Sequence, residues 1–176
     1  MKQYLKLFLA MAIPYAIFMS IFLSLFTGIF KAIVLGSISG ILYGGIVTSF
    51  LYFLNNWQLK KIESKTHEKV RGVRHSKEIE VSLPYDKAFD LCIESLKLIK
   101  RCNVEKEDRS KGEIVAKTGV SWKSWGELIT FKIEKNGEKV KIKVKSEPVL
   151  KTTLIDYGKN FENVEKITSF LEKHSE

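Results

Sequence analysis

The chain has 176 residues, 45% of them hydrophobic, a formal net charge of +9, two cysteines and three histidines. That length allows one or two domains. Cys92 and Cys102 form no C-x-x-C pair and His67, His75 and His174 are scattered, so zinc-site spacing is absent. There is no G-x-S-x-G, H-E-x-x-H, Walker-type or G-x-G-x-x-G pattern either. Catalytic, cofactor-binding and metal sites are therefore all assigned as none, which argues against an enzyme without excluding one.

The charge is unevenly placed. Residues 1–75 hold nine Lys or Arg against Glu63 and Glu68, whereas residues 76–176 hold twenty against eighteen acids. A nucleic-acid binder carries its basic face on a folded module, so no nucleic-acid partner is expected. A basic excess beside an apolar region points instead to membrane topology or to anionic lipid.

Residues 7–30 and 32–59 contain no charged side chain. Each stretch exceeds the ~20 apolar residues that a spanning helix needs, with Pro14 tolerable inside the first. The expected organisation is a two-span α-helical membrane hairpin over residues 1–57, with spans at about 7–27 and 32–54 and a reversal at Gly28–Lys31. The alternative, a cleaved signal peptide, fits poorly: the apolar run exceeds the ~7–15 residues of an h-region and no A-x-A-like site follows. Lys2 and Lys6 precede the first span, Lys31 alone lies between the spans, and Lys60, Lys61, Lys65, Lys69, Arg71, Arg74 and Lys77 follow the second. The positive-inside rule then puts both termini in the cytoplasm, with Tyr4 and Trp57 as aromatic anchors at one interface. The expected location is a bacterial plasma membrane, with both thiols reduced.

A small residue recurs every fourth position through both spans: Ala12, Ala16, Ser20, Ser24, Gly28, Ala32, Gly36, Gly40, Gly44 and Thr48. Small side chains at that spacing let membrane helices approach closely. The helix-packing residues are thus Ala12, Ala16, Ser20, Ser24, Gly36, Gly40 and Gly44. They serve either the hairpin itself or a homo-oligomer, and the sequence leaves both open. A channel is disfavoured, since no ionisable residue lies inside either span.

Residues 58–77 read as a basic juxtamembrane linker with partial helical spacing at Leu59, Ile62, Val70 and Val73. Lys60, Lys61, Lys65, Lys69, Arg71 and Arg74 are its candidate contacts with anionic headgroups. The plainer alternative is that they only set topology.

A cytoplasmic α+β domain is expected over residues 78–174. Ile79, Val81 and Leu83 alternate with polar residues as a strand that Pro84 ends. Asp86 is placed to cap a helix that buries Ala88, Phe89, Cys92, Leu96 and Ile99. Asn103–Asp108 is a weak strand, Arg109–Gly112 a turn, and Glu113–Val120 the next strand. Ile129, Phe131 and Ile133 alternate into Asn136-Gly137, a strong hairpin signal, and Val140, Ile142 and Val144 alternate beyond it. Asn160 is placed to cap a final helix bearing Phe161, Val164, Ile167 and Leu171. The order β-α-β-β-β-β-α predicts an antiparallel sheet with both helices on one face, a helix-grip-like arrangement. The likeness is architectural and implies no function.

Three surfaces could engage a partner. Lys139, Lys141, Lys143 and Lys145 form a row on one strand, read either as an anion-binding face or as a solvated edge strand that Glu127 and Glu134 partly neutralise. Trp122 and Trp125 sit in a short polar loop, to dip into a membrane interface, line a groove or close the core. Asp156 and Tyr157 precede the final helix, as an anion or acid–base site or simply as a turn. The expected function is a membrane-anchored cytoplasmic ligand- or partner-binding module without catalysis, tethered near anionic lipid. The alternatives are a glycine-zipper membrane oligomer regulated by its soluble domain and a small membrane-bound enzyme.

Overall fold

The computed structural model describes residues 2–121 and 124–175. The chain divides into two compact units, Met1–Gln58 and Leu59–Glu176. Its elements are α1 (Lys2–Ser24), α2 (Ile29–Thr66), β1 (His75–Val81), α3 (Tyr85–Ser95) with a 3-10 turn at Leu96–Leu98, β2 (Cys102–Asp108), β3 (Glu113–Thr118), β4 (Glu127–Asn136), β5 (Lys139–Pro148) and α4 (Lys159–Lys173).

In the first unit α1 and the apolar part of α2 are both long and apolar enough to cross a membrane. The 23 residues of α1 extend roughly 34 Å at ~1.5 Å per residue, against a hydrocarbon core of about 30 Å. The reversal lies at residues 25–28, earlier than expected, because backbone bonds from Phe26 and Thr27 to Leu23 close α1 and α2 starts at Ile29. Lys31 therefore sits in the first turn of α2, not in the loop.

The seam is built from small residues. A Cβ placed on Gly36 would collide with Ser20, one on Gly40 would lie 2.5 Å from the Cβ of Ala16, and one on Gly44 would lie 2.7 Å from that of Ala12. Tyr15 stacks on Tyr43 at 4.2 Å between centroids, and Asn55 Nδ2 donates to Tyr4 Oη at 3.0 Å. Ser24 stands outside the seam: it is exposed and its hydroxyl donates to the Ile21 carbonyl.

The second unit begins with the last turns of α2. The expected linker is thus partly helical, since α2 runs to Thr66 and carries Lys60, Lys61 and Lys65 on exposed positions. Leu59 and Ile62 pack with Val70 and Phe161 in a small cluster beside α4. Strand β1 starts at His75, ahead of the expected Glu78, because its pairing partner β5 extends far enough to receive it: His75 faces Ser146.

All strand pairings are antiparallel, in the order β1-β5-β4-β3-β2. β5 is therefore an interior strand, and the edge-strand reading of its lysines is corrected; β1 returns to pair with it across the sheet. The β4–β5 turn consists of Gly137 and Glu138, with Asn136 still paired to Lys139. Gly137 adopts φ 61°, which glycine reaches without steric cost at the first central position of a hairpin turn.

Helices α3 and α4 both pack on one face of the sheet, α4 over β1 and β5 and α3 against α4 and β4. The core holds Phe89, Phe131, Ile114, Ile129, Ile142, Ile167 and Leu171, all fully buried. Both expected N-caps are displaced. Pro84 precedes α3, leaving Asp86 within its first turn, and Gly158 occupies the N-cap of α4, leaving Asn160 inside the helix.

Candidate functional site

Each of the five strands has one boundary at the same end of the sheet, at His75, Cys102, Thr118, Glu127 and Pro148, where Cys102 faces Thr118, Lys117 faces Leu128, Glu127 faces Pro148 and His75 faces Ser146. The connections that leave this end are the Ile99–Arg101 turn, the β3–β4 loop and the β5–α4 segment. The chain also enters the sheet here, from Arg74 into His75.

Glu127 organises the β3–β4 loop. It shares its strand phase with Ile129, Phe131 and Ile133, so it points to the helix-covered face and is 1% exposed. It cannot neutralise the lysine row, which lies on the opposite face. Thr118 Oγ1 donates to one carboxylate oxygen and Ser124 Oγ to the other, while the Glu127 amide donates to Thr118 Oγ1 at 2.8 Å. A buried carboxylate is costly unless its oxygens are satisfied, so these bonds fix the loop on both sides. Gly126 completes the clamp at φ 98°: an added Cβ there would lie 2.6 Å from the Thr118 carbonyl oxygen. Between the pinned Ser124 and Gly126, Trp125 is turned outward and exposed. Trp122, its expected companion, lies outside the described residues.

Cys102, half-buried, has its thiol pushed up from the ordinary value, first by burial and then by the charge of Glu127. Cys92 is fully buried in the core and burial pushes its thiol up strongly. Neither environment activates a thiolate.

Asp156 is 2% exposed, so it presents no surface to a partner. Its Oδ1 accepts from the Gly158 amide at 3.2 Å, and its Oδ2 accepts from the Asn160 amide at 3.0 Å and from Asn160 Nδ2 at 2.9 Å. The first turn of α4 is thus capped by a residue before its N-cap. The network continues as Ser146 Oγ donates to Asn160 Oδ1 and accepts from Asn163 Nδ2. Tyr157 is half-buried in a left-handed conformation at φ 53°.

The lysine row is interleaved with acids from its neighbours. Lys141 pairs with Glu78 at 2.6 Å and Lys145 with Glu147 at 2.9 Å. The hydrogen bond from Lys141 holds the Glu78 carboxyl below its usual range and raises the lysine in turn. Lys139 and Lys143 are exposed. Of the linker cations, Arg74 is engaged by Glu147 at 3.3 Å, while Lys69 and Arg71 are exposed. A shallow groove of about 150 Å³ crosses the same side of the sheet, with Leu128, Pro148 and Val149 between Glu105, Lys117, Glu147 and Lys151.

No protein-family model matches the chain. No curated protein matches it. Among solved structures it is similar to CalU16 from Micromonospora echinospora, with a TM-score of 0.40 and 9% identity over 57% of this chain and 76% of that one. It is similar to Ara h 8.0201 with a TM-score of 0.40 and 12% identity, covering 59% of this chain and 100% of that one. A third likeness is to the Zhui aromatase/cyclase from Streptomyces sp. R1128, with a TM-score of 0.35 and 10% identity over 58% of this chain and 86% of that one. Scores and identities this low carry neither an activity nor a ligand over to this chain.

Proposed function

We propose that this protein is a membrane-anchored binding module: α1 and α2 insert as a hairpin with both ends in the cytoplasm, and the α+β unit engages a ligand or partner without catalysis. The observation that carries the reading is the side-chain arrangement of the hairpin. Its smallest residues fill the seam, while Phe18, Ile21, Phe50 and Phe53 point outward and are exposed. A soluble protein does not keep an apolar face of that extent in water, whereas a bilayer accepts it and leaves close packing to hold the helices together. The distribution of charge supports the orientation, with one lysine near the turn and a basic run after the second span. That run, exposed at Lys60, Lys61 and Lys65, keeps the α+β unit near anionic headgroups.

The glycines of the seam favour a hairpin over an oligomer built on the same stripe. Gly36, Gly40 and Gly44 already face α1, so a second copy would have to displace it. Alkaline carbonate extraction of membranes from an expressing cell tests the anchoring. The full chain is expected in the membrane pellet, and its release into the supernatant would overturn the reading.

A further inference from the structure

The end of the α+β unit where the chain enters carries an unusual surface. Trp125 is 68% exposed and Val120 56%, and Leu98 and Leu150 are each 45% exposed. Tryptophan is among the side chains most buried on average, yet here the loop is built to display it. Glu127 binds the hydroxyls on either side of the loop, and Gly126 admits the turn that sends Trp125 outward.

Hydrogen bonds tie together the segments of chain next to these side chains. The Gly119 amide donates to the Arg101 carbonyl at 2.9 Å, Arg101 Nη1 donates to the Val120 carbonyl at 3.0 Å, and the Val149 amide donates to the Gly126 carbonyl at 3.1 Å. Lys97 and Lys151 are the chain neighbours of Leu98 and Leu150, Lys100 and Arg101 follow Leu98 in the next turn, and all four are exposed. None of the four has a carboxylate partner among the described residues.

At the far end of the sheet Arg109 is paired with Asp86 and Asp90, and Lys111 with Asp108, while Lys87, Lys135 and Lys139 are exposed there without an ion pair among the described residues. Unpaired cations thus occur at both ends, and what distinguishes the end where the basic tether enters is the exposed tryptophan and aliphatic side chains beside them.

We infer that this end docks onto an anionic lipid surface, with Trp125, Val120, Leu98 and Leu150 seated at the headgroup–acyl boundary and Lys97, Lys100, Arg101 and Lys151 on the phosphates. Tryptophan suits that boundary because its ring is apolar and its N–H seeks a polar partner. Basic side chains beside it find the negative potential of an anionic leaflet. A protein partner is the other occupant of such a patch. The lipid is favoured because the tether enters at the same end and already supplies a basic run. The inference rests on the anchoring proposed above.

The test uses the full chain in phosphatidylcholine vesicles with or without phosphatidylglycerol, with bromine on the lipid chains as quencher. One variant, Trp57→Phe with Trp122→Phe, leaves Trp125 as reporter. A second, Trp122→Phe with Trp125→Phe, leaves Trp57 beside the span. Loss of emission from both reporters, with that of Trp125 deepened by phosphatidylglycerol and reduced several-fold by Lys97→Glu, Lys100→Glu and Lys151→Glu together, is the expected result. Quenching of Trp57 alone would overturn the docking and leave the anchor standing, which is also the result a protein partner would give. Quenching of neither would overturn the anchor with it. Quenching of Trp125 indifferent to phosphatidylglycerol or to the charge reversals would overturn the assignment to anionic lipid.

Discussion

In the hairpin the smallest side chains face inward and the largest outward; in the α+β unit the order is reversed. Gly40 lies against Ala16 while Phe53 is 66% exposed, whereas Phe131 is fully buried and the lysines of β5 stand on the outer face. On the proposed function the two regions answer to different solvents. Where water surrounds the protein, burying a large apolar side chain is the main gain. Where lipid does, that gain vanishes between helices and close backbone approach replaces it. The same residue type should therefore carry different weight in the two regions.

Phenylalanine gives the largest test of that contrast. Phe131→Ala should destabilise the α+β unit by about 3–5 kcal/mol, from lost burial and a residual cavity, read by urea unfolding of the detergent-solubilised chain. Phe53→Ala should change hairpin stability by less than about 0.5 kcal/mol, as expected for a side chain that is mostly exposed. Equal effects would break the comparison.

Glycine gives the next. Gly40→Leu should separate α1 from α2 at a cost of about 1–3 kcal/mol, the scale of overpacking a tight site. Energy transfer between labels on the two helices should fall, while the unfolding midpoint of the α+β unit stays in place. Retention of the transfer would show that the seam is not the one described.

Within the α+β unit, Asp156→Ala should cost about 0.5–2 kcal/mol, the range for losing a helix N-terminal cap, and should loosen the first turn of α4 in amide exchange. An unchanged exchange rate at Asn160 and Phe161 would contradict the capping role.

The smallest effect is electrostatic. The Glu78 carboxyl is held low by the hydrogen bond from Lys141, and that of Asp108 by the hydroxyl of Ser110. A carboxyl whose folded value is depressed stabilises the fold fully above its unfolded value, and the contribution is lost as pH falls through the folded value. Stability should thus decline slightly between neutral pH and about pH 3, and Glu78→Gln should remove part of the decline. Both groups are on the surface, so the change should be small and weakened by salt.

The sequence reveals these elements to different degrees. Alternation at Ile129, Phe131 and Ile133 makes β4 legible because a strand repeats every two residues, and the four-residue spacing of Gly36, Gly40 and Gly44 marks a close helix approach by its pattern alone. The pairing of β1 with β5 is not local, so the sequence cannot show that the lysine strand is interior. The caps are misplaced for a different reason: Asp86 and Asn160 are good capping residues, but Pro84 and the αL geometry at Gly158 start the helices earlier. The inward position of Glu127 is within reach of the sequence, since its strand phase matches that of Ile129. Its charge suggests an outward residue, and only the hydroxyls of Thr118 and Ser124 make the inward position tenable.

The most direct test of the account is the side of the membrane reached by each region. Single cysteines at Lys31→Cys and Lys143→Cys, in a Cys102→Ser background that keeps the buried Cys92, can be probed with a membrane-impermeant maleimide in intact cells and in inverted vesicles. The account predicts that Lys31→Cys reacts only from outside and Lys143→Cys only from the cytoplasmic side. Reaction of both from the same side would contradict it.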